Sequence, residues 1–344
     1  PCQFFLYMEK KFAESVVKRN LIRPGSRILL SVSGGPDSSA LCLLIRRYLA
    51  LFKISSAEMV YFNHGIRPAA EIKRDVAVVK KLSSLTGFPC RFVKIKIPRR
   101  GASLENKARA ARYNALTDIA VREGFDTILT AHTSDDNAET IIMRLLRGSG
   151  VKGLGGILPE SFLSVDKNIR LARPLIFFKK KEILDYLKKL RFKSSTDSTN
   201  RNEKYLRNAV RHRIIPLLER YNPRVREHLN NLSRIMKEVS DYIEKEVNNA
   251  YKNCVVRATS VGKSGGFLDL ERFFQYNIVL RRAILSRWLL EPNDFEVIES
   301  VHNFLSESRY RYIDTTSARP SYFFRFSICG LTIAVKKGSR AFLL

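Results

Sequence analysis

The 344-residue sequence predicts an α/β protein: a doubly wound, mostly parallel sheet followed by a smaller helical domain and a short β-rich C-terminal segment. Three features predict it. Short apolar runs alternate with segments of helical period through the first half, as strands joined by crossover helices do. The alternation ends at the glycine-rich stretch GSGVKGLGG, which starts at Gly148. Long helical periods follow, and a tail rich in Phe, Ile and Val closes the chain. Boundaries are expected near residues 215 and 310, giving domains 1–215, 216–310 and 311–344, in keeping with about 150 residues per domain.

The first strand is Arg27–Ser33 (RILLSVS), short, apolar and bounded by Pro24-Gly25 and Gly34-Gly35. Ser38–Phe52 follows as a helix, with Leu41, Leu44, Ile45 and Tyr48 at helical spacing. Strand Glu58–Phe62 and helix Glu71–Leu85 come next, then strand Arg91–Ile97. Helix Leu104–Arg122 has Ser103 placed to cap it. Strand Thr127–Thr130 and helix Asp136–Arg147 complete the alternation. Further helices are expected over Val225–Asn249, Leu270–Leu290 and Phe295–Ser306, and short strands within Tyr322–Leu343.

An apolar content of 45% excludes disorder as the main state. The 61 Lys and Arg against 33 Asp and Glu give a net charge of +28, a field that favours a polyanion, most often nucleic acid. Between Lys167 and Arg226 there are 18 basic residues against 5 acidic ones, including Lys179–Lys181. Five cysteines (Cys2, Cys42, Cys90, Cys254 and Cys329) form no CxxC or zinc spacing, so a reducing cytoplasm is expected. No apolar run approaches the roughly 18 residues of a membrane span. The chain begins at Pro1 rather than Met, which leaves open whether a few residues precede it.

Ser33-Gly34-Gly35-Pro36-Asp37-Ser38 lies where the first strand meets the first helix. Free N–H groups and the helix dipole make such a junction an anion site. Two glycines let the backbone approach phosphate oxygens, Ser33 and Ser38 add hydroxyl donors, and Asp37 can hold a magnesium ion bridging phosphates. A bare SGG is an ordinary turn; SGGxDS after an apolar strand resembles the phosphate loop of the PP-loop ATP pyrophosphatase superfamily. Two other glycine motifs read as plain loops. Gly148–Gly153 matches GxGxxG but follows a helix, and Gly262-Lys263-Ser264 lacks the earlier glycine of a Walker loop.

The fourth strand runs into AHTSDDNAET, Ala131–Thr140. In open α/β sheets ligands bind beyond the carboxyl ends of strands. Asp136 and Glu139, three apart, share a helix face and can hold a cation, either a metal or an ammonium. Capping explains one or two acids there but not His132 and Glu139. Asn63-His64-Gly65-Ile66-Arg67 ends the second strand at the same sheet edge, and SLENKARAARY places Glu105, Arg109 and Arg112 on a helix. Each of these two strings alone reads as a turn or a solvated face.

Taken in order with RLLRGSGVKGLGG, Arg173-Pro174-Leu175, Asp197-Ser198-Thr199-Asn200 and LRNAVRHRIIP (Leu206–Pro216), the strings resemble the tRNA(Ile)-lysidine synthase family over about residues 25–220. Two departures stand out: Thr133 where many members carry a second His, and Ser194-Ser195 where an aromatic residue is expected. The resemblance implies ATP and Mg2+ as cofactors and, as partners, an isoleucine tRNA with a CAU anticodon and free L-lysine, with no membrane and with a homodimer admitted. It implies adenylation of the wobble cytidine at its C2 oxygen, then attack by lysine to give lysidine, AMP and pyrophosphate, changing codon reading from AUG to AUA. It makes 1–215 the catalytic domain with a basic C-terminal part and 216–310 a helical tRNA-binding domain.

The implied nucleotide-binding residues are Ser33, Gly34, Gly35, Pro36, Asp37, Ser38, Asn63 and His64, with Asp37 the metal ligand. The implied catalytic residues are Asp37, His132, Asp136, Glu139, Arg109, Arg112 and Arg207. A lysine side chain, with a pKa near 10.4, must lose a proton before attack, and His132, Asp136 or Glu139 can accept it. Arg207, Arg211 and Arg213 are expected to meet tRNA phosphates, together with the basic stretch after Lys167. Two other readings stay open. One is a PP-loop tRNA thiolation enzyme, whose relatives carry CxxC cysteines. The other is a non-catalytic RNA-binding protein on a degenerate PP-loop scaffold.

Overall fold

A computed structural model of the chain describes residues 2–65, 68–95, 104–164, 166, 168–195, 206–256, 267–289, 295–313, 323–328, 331–336 and 340–343. Of the sequence features above, Arg67, Ser103, Asp197–Asn200, Gly262–Ser264 and Cys329 lie outside these residues, as does the side chain of Glu105. The chain packs as two compact units, 1–237 and 238–344.

The first unit opens with α1 (Cys2–Lys18), which the sequence reading left unassigned. Met8, Phe12 and Val16 recur every fourth residue, so they share a face and are all buried. Phe12 packs within about 6 Å of Phe52 and Phe178. The expected alternation follows: β1 (Arg27–Val32), α2 (Pro36–Arg47), β2 (Ser56–Asn63), α3 (Ala69–Thr86), β3 (Cys90–Lys94), α4 (Leu104–Glu123), β4 (Thr127–Leu129) and α5 (Ser134–Leu145). Helix α2 starts two residues earlier than expected because Pro36 occupies its first turn, where a missing N–H costs nothing. It also ends earlier, at Arg47.

After α5 the sheet continues, contrary to the apparent break at Gly148. A short α6 (Val151–Leu154) leads to β5 (Glu160–Ser164) and β6 (Ile169–Ala172). The strand order is β3-β2-β1-β4-β6-β5, parallel except for the antiparallel β5–β6 pair. The chain winds outward from β1 in one direction to β3 and resumes on the other side with β4. The topological switch point therefore lies between β1 and β4, where open α/β sheets bind ligands. Strands β1 and β4 are buried almost throughout, with Ile28, Leu29, Leu30, Ile128 and Leu129 fully so.

Helix α7 (Lys180–Lys189) packs beside α2; α8 (Leu206–Ala209), a π-turn at Val210–Ile214 and α9 (Ile215–Tyr221) follow. The 30-residue α10 (Val225–Cys254) contains the division between the units. The expected boundary near 215 is thus displaced to 237, because Asn230 and Ser233 of α10 bond Asn137 of α5. No division falls near 310 either. Strands β9 (Phe323–Ile328), β10 (Leu331–Lys336) and β11 (Arg340–Leu343) join β7 (Val255–Val256) and β8 (Phe267–Asp269) in one antiparallel sheet, so the C-terminal strands belong to the second unit. The expected helix Leu270–Leu290 is two helices, α11 (Leu270–Phe273) and α12 (Ile278–Trp288). Asn277 breaks the run by capping α12 through Leu280 N–H. With α13 (Phe295–Ile313) these elements enclose a separate core around Phe273, Trp288 and Val301.

Candidate active site

The loop after β1 is shaped by its glycines. Gly34 has φ +79°, and a Cβ there would stand 3.1 Å from the Asp75 carbonyl oxygen and 3.2 Å from its Cα. Only glycine fits, for both conformational and steric reasons. The hydroxyls of Ser33 and Ser38 lie 3.3 Å apart; the Ser38 Oγ accepts from Ser33 N–H and donates to the Gly35 carbonyl. Gly35, at the N-cap of α2, offers no side chain, so the first-turn N–H groups are left for a ligand. Ser195 fastens the loop from outside: its N–H donates to the Gly34 carbonyl at 2.9 Å and its hydroxyl donates to Asp75.

Asp37 stands at the second position of α2. Its Oδ2 accepts from Lys180 Nζ, while its Oδ1 is buried without a partner. Burial raises its pKa, and Lys180 opposes that shift. A half-buried, singly partnered carboxylate beside an anion-binding loop fits a divalent cation.

The loop after β4 is closed by a capping box. Thr133 N–H and Oγ1 donate to Asp136 Oδ2 at 2.8 and 2.9 Å, and Thr133 Oγ1 accepts from Asp136 N–H. Thr133 thus has a definite task as N-cap of α5, which starts at Ser134, two residues earlier than expected. Glu139, 1% exposed, binds two arginines: Oε2 accepts from Arg207 Nε at 3.0 Å, and both oxygens accept from Arg211 at 2.6 and 3.0 Å. Asp136 Oδ1 faces the same arginines at the longer distances of 3.7 and 3.4 Å. Burial works to raise Asp136, but Arg207, His132 and the Thr133 bonds outweigh it and hold the group low. The cation held by the Asp136–Glu139 face is therefore the chain's own guanidinium pair.

Of the arginines expected to meet tRNA phosphates, Arg207 and Arg211 are bonded to Glu139, while Arg213 is exposed.

Around His132 a cationic wall assembles. Arg109 and Arg112 lie 5.1 and 5.6 Å from the Tyr113 ring, and Arg173 is buried with Nη1 on the Leu158 carbonyl at 2.7 Å. Burial pulls Arg112 and Arg173 below the ordinary arginine value, and Arg109 pulls in the same direction. Nε of each is enclosed without an acceptor. Burial also drives His132 well below its ordinary value, against the opposing pull of Asp136, so the ring is neutral. Its Nδ1 lies 3.0 Å from Thr130 Oγ1.

Asp37, His132, Asp136, Glu139, Arg109, Arg112 and Arg207 therefore share one electrostatic neighbourhood: Asp136 and Arg211 act on Asp37, and Arg207 acts on Arg112. Asn63 ends β2, parallel to and beside β1, and His64 follows it at the same edge of the sheet. Asn63 there accepts from Gly65 N–H at 2.9 Å to close a turn. Sequence reasoning missed Lys180, hidden in a basic triplet, and gave Asp75, Tyr113 and Arg173 no role at this edge. Asp75 alone left a signal: with Glu71, Val79 and Leu82 it occupies the buried stripe of α3, an odd place for an acid. Three described cysteines are free. Burial pushes Cys42 up, and lifts Cys90 and Cys254 to about 11, away from reactive thiolates. No helix among the described residues is long and apolar enough to cross a membrane.

The sequence is 33% identical over 247 residues to the tRNA(Ile)-lysidine synthase of Thermosipho africanus, covering 71% of this chain and 56% of that one. It is 32% identical over 231 residues to that of Thermotoga maritima, covering 66% and 53%. The chain thus spans about half the length of these curated relatives. Among solved structures, the U34-tRNA thiolase NcsA from Methanococcus maripaludis, with its 4Fe-4S cluster, superposes with a TM-score of 0.55. It is 21% identical and covers 68% of this chain and 80% of that one, a likeness of fold. The PP-loop domain model matches residues 6–218, a span from α1 to α9 that takes in both loops of the switch point, and the chain belongs to that family.

Proposed function

We propose that this chain carries the catalytic part of a tRNA(Ile)-lysidine synthase, which adenylates the wobble cytidine of a CAU-anticodon isoleucine tRNA with ATP and then joins free lysine to C2. One observation carries the reading. A phosphate cradle with a metal-competent carboxylate and an acid–arginine cluster share one sheet edge and one electrostatic field, as two successive half-reactions on one base require. The names of the curated relatives supply the substrate.

In the first half-reaction the α2 N-terminus, Gly34, Gly35, Ser33 and Ser38 bind the polyphosphate. Asp37 would hold a magnesium ion, which when bound spreads the charge of the leaving pyrophosphate. Arg112 and Arg173, enclosed with Nε unmatched, offer donors to negative charge developing near His132. In the second half-reaction we place the incoming lysine ammonium at Asp136 rather than Glu139. Asp136 Oδ1 has only long contacts, whereas both Glu139 oxygens are taken at 2.6–3.0 Å. Neutral His132 beside it adds no positive charge to repel the amine. A cytoplasmic location goes with this reading and with the free thiols.

The test is incorporation of radiolabelled lysine into an isoleucine tRNA transcript. Methionine tRNA serves as one control and Asp37→Ala, expected to release no pyrophosphate, as another. Sulfur incorporation in place of lysine, or no turnover with either tRNA, would reject the reading.

A further inference from the structure

Lys179, Lys180 and Lys181 form the most basic triplet of the chain, but the fold separates them. Lys179 and Lys181 are exposed, whereas Lys180 bonds Asp37 across 143 residues of sequence. Its backbone is firmly held: Lys180 N–H donates to Asp135 Oδ2 at 2.7 Å. The N–H and Oγ of Ser134 both donate to the Phe178 carbonyl, at 3.0 and 2.9 Å. Phe178 and Ile183, on either side, are fully buried. The lysine stem therefore leaves a fixed base, the start of α7 fastened to the start of α5, and reaches the phosphate loop, with its side chain 37% exposed and free to change rotamer.

We propose that Lys180 is a residue of the nucleotide site: its ammonium neutralises Asp37 while no nucleotide is bound, and moves to the terminal phosphate oxygens when a nucleoside triphosphate arrives with its divalent cation. The proposal rests on the adenylation reading above. Three observations support the exchange of partners. Asp37 keeps one buried oxygen without a partner, so its carboxylate is half used by the lysine. A divalent cation at that carboxylate and an ammonium on its other oxygen repel each other strongly at such separations. The anion that displaced charge would meet is the polyphosphate on the N–H groups of the same loop. Lysine suits the task because its compact charge has three donors on a flexible stem, where a guanidinium prefers one planar partner.

The exchange gives binding signatures of opposite sign. In Lys180→Met, affinity for the Mg2+ complex of the non-hydrolysable analogue AMPCPP, measured by calorimetry, should fall at least tenfold. Affinity for Mn2+ alone, measured by electron paramagnetic resonance, should rise severalfold, because a competing ammonium has gone. Lys180→Gln, which can still donate to Asp37, provides the same readouts if the Met variant does not fold. Lys181→Met should leave both affinities at wild-type values. A folded Lys180 variant with unchanged AMPCPP affinity would overturn the proposal. So would a parallel loss of both ligands that tracks a lowered melting temperature, since that marks a purely structural ion pair. Failure of the wild-type chain to take up AMPCPP–Mg2+ would overturn the adenylation reading itself, an outcome distinct from the other two.

Discussion

Glu139 is the residue whose environment most constrains its chemistry. A carboxylate with two arginines at 2.6–3.0 Å and 1% exposure has little capacity left for a substrate. Its replacement should be felt first as instability. Glu139→Gln leaves Arg207 and Arg211 short of an anion and should cost about 2–3 kcal/mol, below the roughly 3–5 kcal/mol of fully buried pairs because both arginines retain some access to water. Urea unfolding checks this, and an unchanged midpoint would mean that the arginines find another partner. His132 gives a pH signature. Its folded-state pKa is depressed, so between that value and about 6.5 the unfolded chain binds more protons than the fold, and His132 makes stability fall as the pH drops through that window. Its ring resonances should therefore show no titration between pH 6 and 8 in a nuclear magnetic resonance series. A midpoint near 6.5 would contradict its burial.

Among the elements, the glycine-rich stretch after α5 repays attention as a clasp. Arg144 of α5 donates to the carbonyls of Gly153 and Gly156 at 2.5 and 2.8 Å. Gly156 itself has φ +67°, and a Cβ there would fall 2.2 Å from Asn137 Oδ1 and 2.4 Å from Ser233 Oγ. Gly156→Ala should therefore destabilise by about 2–3 kcal/mol, combining the left-handed penalty with the displacement of two buried polar side chains. Thermal melting against Gly148→Ala, which meets nothing within 4 Å, separates the steric part from the conformational one. Legibility differs among the elements for physical reasons. The β1–α2 and β4–α5 junctions were readable because strand, turn and helix start are local patterns. Helix α1 was also readable in principle, through Met8, Phe12 and Val16. Strands β5 and β6 were masked by surrounding polar residues, and the pairing of Glu139 with Arg211 spans 72 residues that no local pattern connects.

For the whole molecule, net charge is the dominant long-range property. At +28 the chain should bind tRNA with a steep salt dependence, each neutralised phosphate contributing about −0.9 to the slope in duplex regions and about −0.7 in single strands. Since Lys180 is committed to Asp37, the triplet offers that surface only Lys179 and Lys181. Reversing both to Glu should flatten the slope of log affinity against log salt by roughly 2. AMPCPP affinity should stay at the wild-type value. Filter binding over a salt series measures the first and calorimetry the second. An unchanged slope would assign the tRNA surface to other basic residues.

The π-turn at Val210–Ile214 works as a phase correction written into the chain by one surplus residue. Its closing bond runs from Ile215 N–H to the Val210 carbonyl, five residues apart, which stacks Val210 and Ile215 on one face. Both are fully buried against Ala138 and Ile142 of α5. In an uninterrupted α-helix they would stand about 140° apart, and one of them would turn toward water. Arg207 and Arg211 could then keep Glu139 only if the apolar contact were given up, or the reverse. Insertions and deletions here should therefore be far less tolerable than substitutions. Removing exposed His212 would twist everything after it out of step with α5.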